Sequence, residues 1–351
     1  MIIPDFQDQF EQVTFCNDSK TGLRAIIAIH STALGPTAGG CRMWNYTSRD
    51  EALLDALRLA KGMTYKAAIS GLNWGGGKSV IIGDSKTAKT PELLKRFGDF
   101  VNRLGGTYIT AKDVGIGAED LAMIKTKTPH VLGIGGEQGS SGDPSPATAW
   151  GIYHGMLASA KHVHGAKSLQ GMRVAIQGLG SVSYALLEHL TADGAEIIAC
   201  DIDQDQIKKA VGSYKIEIVN PDVIYDVGCD IFAPCALGST INMNTVPRIK
   251  AKIIAGAANN QLATDEIGNE LVKCGITYAP DYAINAGGLI NIYHEGMVAG
   301  GYRRTNAFEH VAKIGQTITT ILERAKADRL PSHIVADKIA EERVQSATSA
   351  R

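Results

Sequence analysis

The sequence has almost no net charge: 35 basic and 36 acidic side chains leave a formal balance of −1 over 351 residues. Near-neutrality removes any global electrostatic case for binding nucleic acid or a membrane surface. Long apolar runs are also missing. The longest, such as Ala25–Ile29 and Ile253–Ala258, fall well short of the roughly 18–20 residues that a spanning helix needs. The N-terminus, Met-Ile-Ile-Pro-Asp-Phe-Gln-Asp, has neither the cationic start nor the apolar core of a secretory signal. Clustered metal ligands are absent as well. Cys16, Cys41, Cys200, Cys229, Cys235 and Cys274 form no C-x-x-C pair, and the nine histidines form no H-x-x-x-H or H-E-x-x-H. Scattered thiols in a chain of this size read as reduced residues of a cytoplasmic protein, with no metal expected. Proline is modest at 11 residues, whereas glycine reaches 39, about 11 % against a usual ~7 %. Excess glycine without excess proline implies tight backbone geometry inside a folded protein. A hydrophobic content of 44 % and a mean hydropathy of −0.02 argue against extended disorder. The length predicts two domains.

Along the chain, helical and strand-like segments alternate, as in an α/β fold. Ser48-Arg49-Asp50-Glu51 forms a capping box, and Leu53, Leu57, Ala60 and Met63 continue it at helical spacing, predicting one helix over 49–69. A glycine loop, Gly75-Gly76-Gly77-Lys78, is expected next, followed by a strand over 79–82. Thr90 and Pro91 start a second helix that stops at Gly105-Gly106. Tyr108-Ile109-Thr110 reads as a strand leading to Asp113. Residues 133–146, rich in glycine, serine and proline, can hold no regular element and mark a domain boundary. A linking helix over 149–162 follows, then strands at 173–177, 196–200, 230–233, 252–255 and 276–279. Two terminal helices, 306–329 and 332–345, are separated by Leu330-Pro331.

The clearest physical signal is the strand–turn–helix unit over 173–193. Gly178 and Gly180 allow a tight turn and close backbone approach to a pyrophosphate. The helix that opens at Ser181 and Val182 then offers free N–H groups and a positive dipole end. Ser183 stands where the third glycine of the fingerprint is usual. Asp201, 23 residues after Gly178, ends the next strand where an acid binds a ribose 2′-hydroxyl and repels a 2′-phosphate, favouring NAD. The loops around Cys235-Ala236 and Ala258-Asn259-Asn260 suit contact with the ribose and nicotinamide. Cys235 has no neighbouring histidine to activate it and reads as a structural thiol. Gly75-Gly76-Gly77-Lys78-Ser79 is not a Walker A loop, because Leu72 occupies the first glycine position and a strand follows instead of a helix. What remains is a lysine in a glycine-rich setting. If desolvated beside another cation such as Lys66, it could act as a base, although spacing alone does not separate this from two surface lysines. Asp113, in a loop after a strand, is either a catalytic acid or a helix cap.

Gly35-Pro36, Gly39-Gly40-Cys41-Arg42-Met43-Trp44, Met63-Thr64-Tyr65-Lys66 and Gly75–Val80 resemble the leucine/phenylalanine/valine dehydrogenases, a branch of the glutamate dehydrogenase superfamily. Gly139–Pro146, Gln177-Gly178-Leu179-Gly180 and Asn285-Ala286-Gly287-Gly288 extend the resemblance over nearly the whole chain. It implies a two-domain α/β enzyme with a cleft between an N-terminal catalytic domain and a Rossmann-type NAD-binding domain. The expected boundaries are 1–132 for substrate binding and oligomerisation, 133–148 for a hinge, 149–329 for NAD, and 330–351 for a C-terminal helix packing back on the first domain. The implied reaction is reversible NAD-dependent oxidative deamination of an L-amino acid to a 2-oxo acid and ammonia.

By the same resemblance, Lys66 binds the substrate carboxylate, Lys78 activates water and Asp113 shuttles protons at the amine. Asn260 holds substrate and nicotinamide, and Thr148 approaches the nicotinamide amide. Gly40, Ala38, Ala111, Leu289 and Ile292 border the substrate pocket. Ala111, Leu289 and Ile292 favour branched aliphatic side chains, leucine foremost, whereas Ala38 opens space that larger residues fill in leucine-specific members. An aromatic substrate, phenylalanine or tryptophan, is the alternative, and a non-catalytic dinucleotide-binding sensor is an alternative of another class. Lys112 stands where leucine-specific members carry glutamate and either lowers the pKa of Asp113 or points to solvent. Relatives are homo-oligomers, and Thr14–Phe15 and Ala25–Ile29 are candidate strands for pairing between subunits.

Overall fold

Two β-sheets organise the chain, one in each of two compact units. The computed structural model describes residues 9–135, 140–297 and 301–350. Residues 136–139 of the expected hinge and the N-terminal octapeptide lie outside the described residues. The first unit takes in the described parts of Met1–Gly142, Ile292–Tyr302 and Ala340–Arg351, and the second Asp143–Asn291 and Arg303–Ile339. The described residues of 292–302, expected with the second domain, therefore belong to the first unit, and the terminal segment is shared: 332–339 belong to the second unit and 340–350 to the first. Among the described residues no helix is long and apolar enough to cross a membrane.

The first unit runs β1 (Gln12–Asp18), β2 (Leu23–Ser31), β3 (Thr37–Trp44), α1 (Arg49–Ile69), β4 (Gly75–Ile82), α2 (Pro91–Arg103), β5 (Tyr108–Ala111) and α3 (Ala118–Lys125). The sheet order is β1-β2-β4-β3-β5. β2 pairs antiparallel with β1 and β4, and β3 pairs parallel with β4 and β5. Because β2 has both edges occupied, Ala25–Ile29 is not available for pairing with another subunit, contrary to the sequence expectation; β1 is the outer strand. Alternation of side chains across the pleat separates two cores. Ile26, Ala28 and Val80 meet Ala52, Ala56, Leu57 and Ala60 of α1. Ala25, Ile27, Ile29 and Ile81 meet Leu93, Leu94, Phe97 and Val101 of α2 and Leu121 and Ile124 of α3. The Ser48 side chain caps α1 by accepting from the Glu51 N–H, and the Thr90 side chain caps α2 by accepting from Leu93 N–H. At the far end of α1 the Arg343 guanidinium donates to Ala68 O at 2.8 Å and Ala67 O at 3.3 Å, placing a cation at the negative helix end.

The glycine run was expected to be a loop but is the first half of β4, the buried central strand. None of Gly75, Gly76 and Gly77 has a positive φ; they are glycines because of what lies against them. A Cβ on Gly76 would sit 2.1 Å from Thr64 N and 2.5 Å from Ala60 O of α1, and one on Gly39 of β3 would sit 1.7 Å from Gly77 O. The missing side chains let α1 and β3 lie directly on the strand.

The second unit runs α4 (Ser145–His164), β6 (Arg173–Gln177), α5 (Ser181–Ala192), β7 (Glu196–Cys200), α6 (Gln204–Ser213), β8 (Ile216–Ile218), β9 (Ile231–Pro234), β10 (Ile253–Ile254), α7 (Glu266–Lys273), β11 (Thr277–Tyr278) and α8 (Asp281–Ile284). α9 (Gly287–Gly296) begins in this unit and ends in the first. α10 (Arg304–Ala312), α11 (Ile314–Asp328) and the start of α12 (Ser332–Ser349) complete it. The helix expected over 306–329 is thus two helices meeting at Lys313. All pairings in this sheet are parallel, in the order β11-β10-β9-β6-β7-β8. That is the doubly wound dinucleotide-binding order, with its switch point between β6 and β9. Phe232, Ile254, Ile198 and Ala175 of the strands form the core of one face with Ile267 and Leu271 of α7.

The two kinds of glycine respond differently to an added methyl group. Gly76→Ala is expected to destabilise the protein by about 3 kcal/mol or more through overpacking. Gly62→Ala, on α1 with open space around its Cβ position, is expected to add about 0.5–1 kcal/mol through helix propensity. Urea unfolding midpoints measure both, and a Gly76→Ala variant as stable as the parent would contradict the close approach of α1.

Candidate active site

The pleat puts Gly76, Lys78 and Val80 of β4 on the face covered by α1. Parallel register puts Ala38 and Arg42 of β3 beside Gly76 and Val80 on that face. Lys78 is 5 % exposed, and its Nζ forms an ion pair with Asp113 Oδ2. Asp113 lies in the loop after β5, where its Oδ1 also accepts from Val114 N–H at 2.6 Å. Gly40 of β3 is a glycine because a Cβ there would sit 2.8 Å from Asp113 Cβ and 2.7 Å from Lys112 O. Ala111 pairs with Gly40 across β3 and β5. Lys78, Asp113, Ala38, Gly40 and Ala111 are therefore gathered at one end of the first sheet, and Lys66 on α1 is close enough to act on the charge of Lys78. Ile292 belongs to the same unit, and a Cβ on Gly133 would lie 3.7 Å from its Cδ1. Lys112 is exposed.

Burial is the largest influence on the Lys78 ammonium and presses it down to about 7, with the Arg42 charge second. The Asp113 carboxylate pulls the other way. The sequence reading named Lys66 as the companion cation, but Arg42 acts more strongly and Lys66 is a lesser contributor. Arg42 Nη2 lies 3.6 Å from Asp113 Oδ1 and its Nη1 lies 2.9 Å from Asp55 Oδ2. In the sequence, Arg42 stands out only as part of the Gly39–Trp44 motif. Its signal was its register: two residues beyond Gly40 on a parallel strand, it had to share a face with Lys78.

The second unit assembles the other expected residues at the carboxyl ends of its strands. Gly178, after β6, has φ +97°, and a Cβ there would lie 2.8 Å from Ala236 Cβ in the loop after β9. Gly180 is the N-cap of α5 with nothing within 4 Å of its Cβ position. No side chain caps that end, so the amides of the first turn, Ser181 and Val182, lack a capping acceptor. Asp201, just after β7, accepts from Leu179 N–H at 2.6 Å and from Asp203 N–H at 2.8 Å, tying the glycine turn to the second strand. The Cys235 thiol is pushed up to about 11 by burial and accepts from Ala257 N–H, which fits a structural thiol. The loop carrying Ala258, Asn259 and Asn260 is held from beneath. Buried Gln261 donates to Gly256 O and Ala258 O, and Asn285 Nδ2 donates to Asn259 Oδ1 at 2.8 Å and Ala257 O at 3.0 Å. Asn260 itself has φ +50°. Thr148 lies in the first turn of α4 with its hydroxyl on Pro144 O. Leu289 is on α9.

Family models match both units: "Glu/Leu/Phe/Val dehydrogenase, dimerisation domain" over residues 8–130, and "Glutamate/Leucine/Phenylalanine/Valine dehydrogenase" over 139–220 and 203–351. The chain is 51 % identical over 342 residues to leucine dehydrogenase of Geobacillus stearothermophilus, covering 97 % of this chain and 92 % of that protein. The chain belongs to the glutamate/leucine/phenylalanine/valine dehydrogenase family. Leucine dehydrogenase of Bacillus subtilis strain 168 is 49 % identical over 336 residues, covering 96 % and 92 % of the two chains. Among solved structures, L-tryptophan dehydrogenase from Nostoc punctiforme superposes with a TM-score of 0.86 at 41 % identity, covering 97 % of both chains. As in any member of this amino acid dehydrogenase family, the second unit must present backbone to a dinucleotide. The positive φ of Gly178, the open space over Gly180 and the uncapped start of α5 fit that need.

Gly178→Ala is expected to weaken binding of a reduced nicotinamide dinucleotide about tenfold or more, roughly 1.4 kcal/mol, in a fluorescence titration. Affinity equal to the parent's would mean that the turn at Gly178 does not approach the ligand.

Proposed function

We propose that this chain is a cytoplasmic, homo-oligomeric enzyme that catalyses reversible NAD-dependent oxidative deamination of a branched-chain L-amino acid, leucine foremost, to a 2-oxo acid and ammonia. The observation that carries this reading is the buried Lys78–Asp113 pair on the first sheet, in a chain half identical to a curated leucine dehydrogenase. Lys66 holds the substrate carboxylate. The bound nicotinamide supplies the oxidant that accepts hydride from the α-carbon. Asp113 takes the proton that the amine releases as it becomes an imine. Neutral Lys78 then removes a proton from water as its oxygen bonds to the α-carbon. Asp113 returns its proton to nitrogen, giving the carbinolamine. Lys78 then passes the proton it took from water through Asp113 to that nitrogen and accepts the hydroxyl proton as the C–N bond breaks, releasing ammonia and leaving the 2-oxo acid. Ala38, Gly40, Ala111 and Ile292 of the first unit accommodate the side chain.

In the second unit Gly178, Gly180, Ser181 and Val182 would hold the pyrophosphate and Asp201 the adenosine ribose. Cys235, Ala236, Ala258, Asn259, Asn260 and Thr148 would line the remaining ribose and the nicotinamide. The Asp201 carboxylate supports NAD over NADP, since a 2′-phosphate would meet a like charge.

Purified protein with NAD and L-leucine at alkaline pH is expected to generate NADH absorbance, with NADP a poor substitute. Absence of turnover with every aliphatic and aromatic amino acid would overturn the enzyme reading, and a kcat/KM ranking led by phenylalanine or tryptophan would overturn the branched-chain preference. Lys78→Ala is expected to reduce turnover about a thousandfold or more while NAD still binds. The base must be neutral to work, so deamination should rise with pH through the region near 7 where the Lys78 ammonium loses its proton. A flat profile between pH 6 and 9 would exclude Lys78 as that base.

A further inference from the structure

Behind the Lys78–Asp113 pair lies a second carboxylate. Asp55, on α1, has its charge almost fully engaged. Its Oδ2 accepts from Arg42 Nη1 at 2.9 Å and from the Tyr46 hydroxyl at 2.7 Å, and its Oδ1 accepts from Arg58 Nη2 at 2.9 Å. Burial raises the pKa of the Asp55 carboxyl, but the bonds from Tyr46 and Arg58 and the charges of Arg42 and Arg58 outweigh that, so it stays below its ordinary range and ionised. Arg42 therefore stands between two acids in unequal contact, hydrogen-bonded to Asp55 but at 3.6 Å only in ion-pair range of Asp113.

A guanidinium with one carboxylate in reach closes on it, preferably with both nitrogens. Without Asp55, Arg42 would be free to close on Asp113 and compete with Lys78 for it. We propose that Asp55 is a positioning residue: by anchoring Arg42, it keeps the guanidinium beside Asp113 without displacing Lys78. The inference rests on the roles given to Lys78 and Asp113 above. The charged and titratable groups that act on Lys78 are Arg42 on the same face of β3, Cys41 on the opposite face of that strand, Asp55 and Lys66 from α1, and Asp113 from the loop after β5. Arg42 lowers the proton affinity of Lys78 and Asp55 raises it. Removing Asp55 takes away one supporting charge and diverts Asp113 toward Arg42, and both changes act downward. Removing Arg42 acts upward.

The test is the pH profile of kcat/KM for L-leucine at saturating NAD, measured on the full chain. Asp55→Asn is expected to move the acid limb to lower pH by about half a unit to one unit, and Arg42→Gln to move it to higher pH by a similar amount. Asp55→Glu, which restores the charge, should return the limb toward the parent position. Opposite shifts are not produced by a structural role, which would lower activity at every pH alike. Unmoved limbs, or shifts of the same sign, overturn the inference. Should circular dichroism show Asp55→Asn unfolded, Arg42→Gln decides alone, its upward shift supporting the inference and an unmoved limb overturning it. A parent protein without activity on any amino acid would instead refute the functional reading.

Discussion

A charged lysine on the central strand of a sheet is the constraint that organises the first unit. Taking an ammonium out of water costs several kcal/mol unless partners replace its hydration. Lys78 is almost completely buried, so the fold has to bring those partners to it. Asp113 arrives on the loop after β5, Arg42 on the adjacent parallel strand, and Asp55 and Lys66 on α1. Each of these placements depends on close packing around β4. α1 reaches its residues' positions only because Gly76 leaves it room, and Asp113 fits against β3 only because residue 40 has no side chain.

The second unit answers a different demand. Glycine and small residues stand at the ends of strands β6, β9 and β10, and buried amides brace the loops that follow. Gln261, fully buried, and Asn285 do for the loop after β10 what Asp201 does for the turn after β6. Asp201 has a structural part in the fold. It accepts two backbone N–H groups, so replacing it would loosen the glycine turn.

Much of this was legible in the sequence where a local rule governs. Ser48 and Thr90 announce the starts of α1 and α2 because a cap needs only its own neighbours, and the β6–turn–α5–β7 unit is readable because its glycines serve a backbone angle at Gly178. The Gly75–Gly77 run misled for the opposite reason. Those glycines serve contacts with Thr64, Ser31 and Thr37, residues up to 44 positions away, and a sequence does not display which distant backbone will lie on a residue. β3 was missed similarly, since Gly39 and Gly40 look like a turn until their neighbours are known. Arg42 and Asp55 illustrate the same limit at the site. They are 13 residues apart in the chain, and each has the appearance of an ordinary surface charge until the strand register and helix docking place them together.

The charge arrangement also explains why one counter-ion would not give a buried lysine an intermediate proton affinity. A buried lysine alone would stay neutral and could not be reprotonated easily; one locked against a single carboxylate would stay charged and could not accept a proton. An intermediate affinity needs opposing influences of comparable size. Here burial, with Arg42, pulls the lysine toward the neutral form and Asp55 pulls it toward the charged form, while Asp113 is ion-paired with it. Because Asp55 also holds Arg42, the two sides of that balance are mechanically joined: displacing Arg42 from Asp55 would change both the field at Lys78 and the partner available to Asp113. The proton affinity of Lys78 is therefore a property of the whole cluster on β3, β4 and α1.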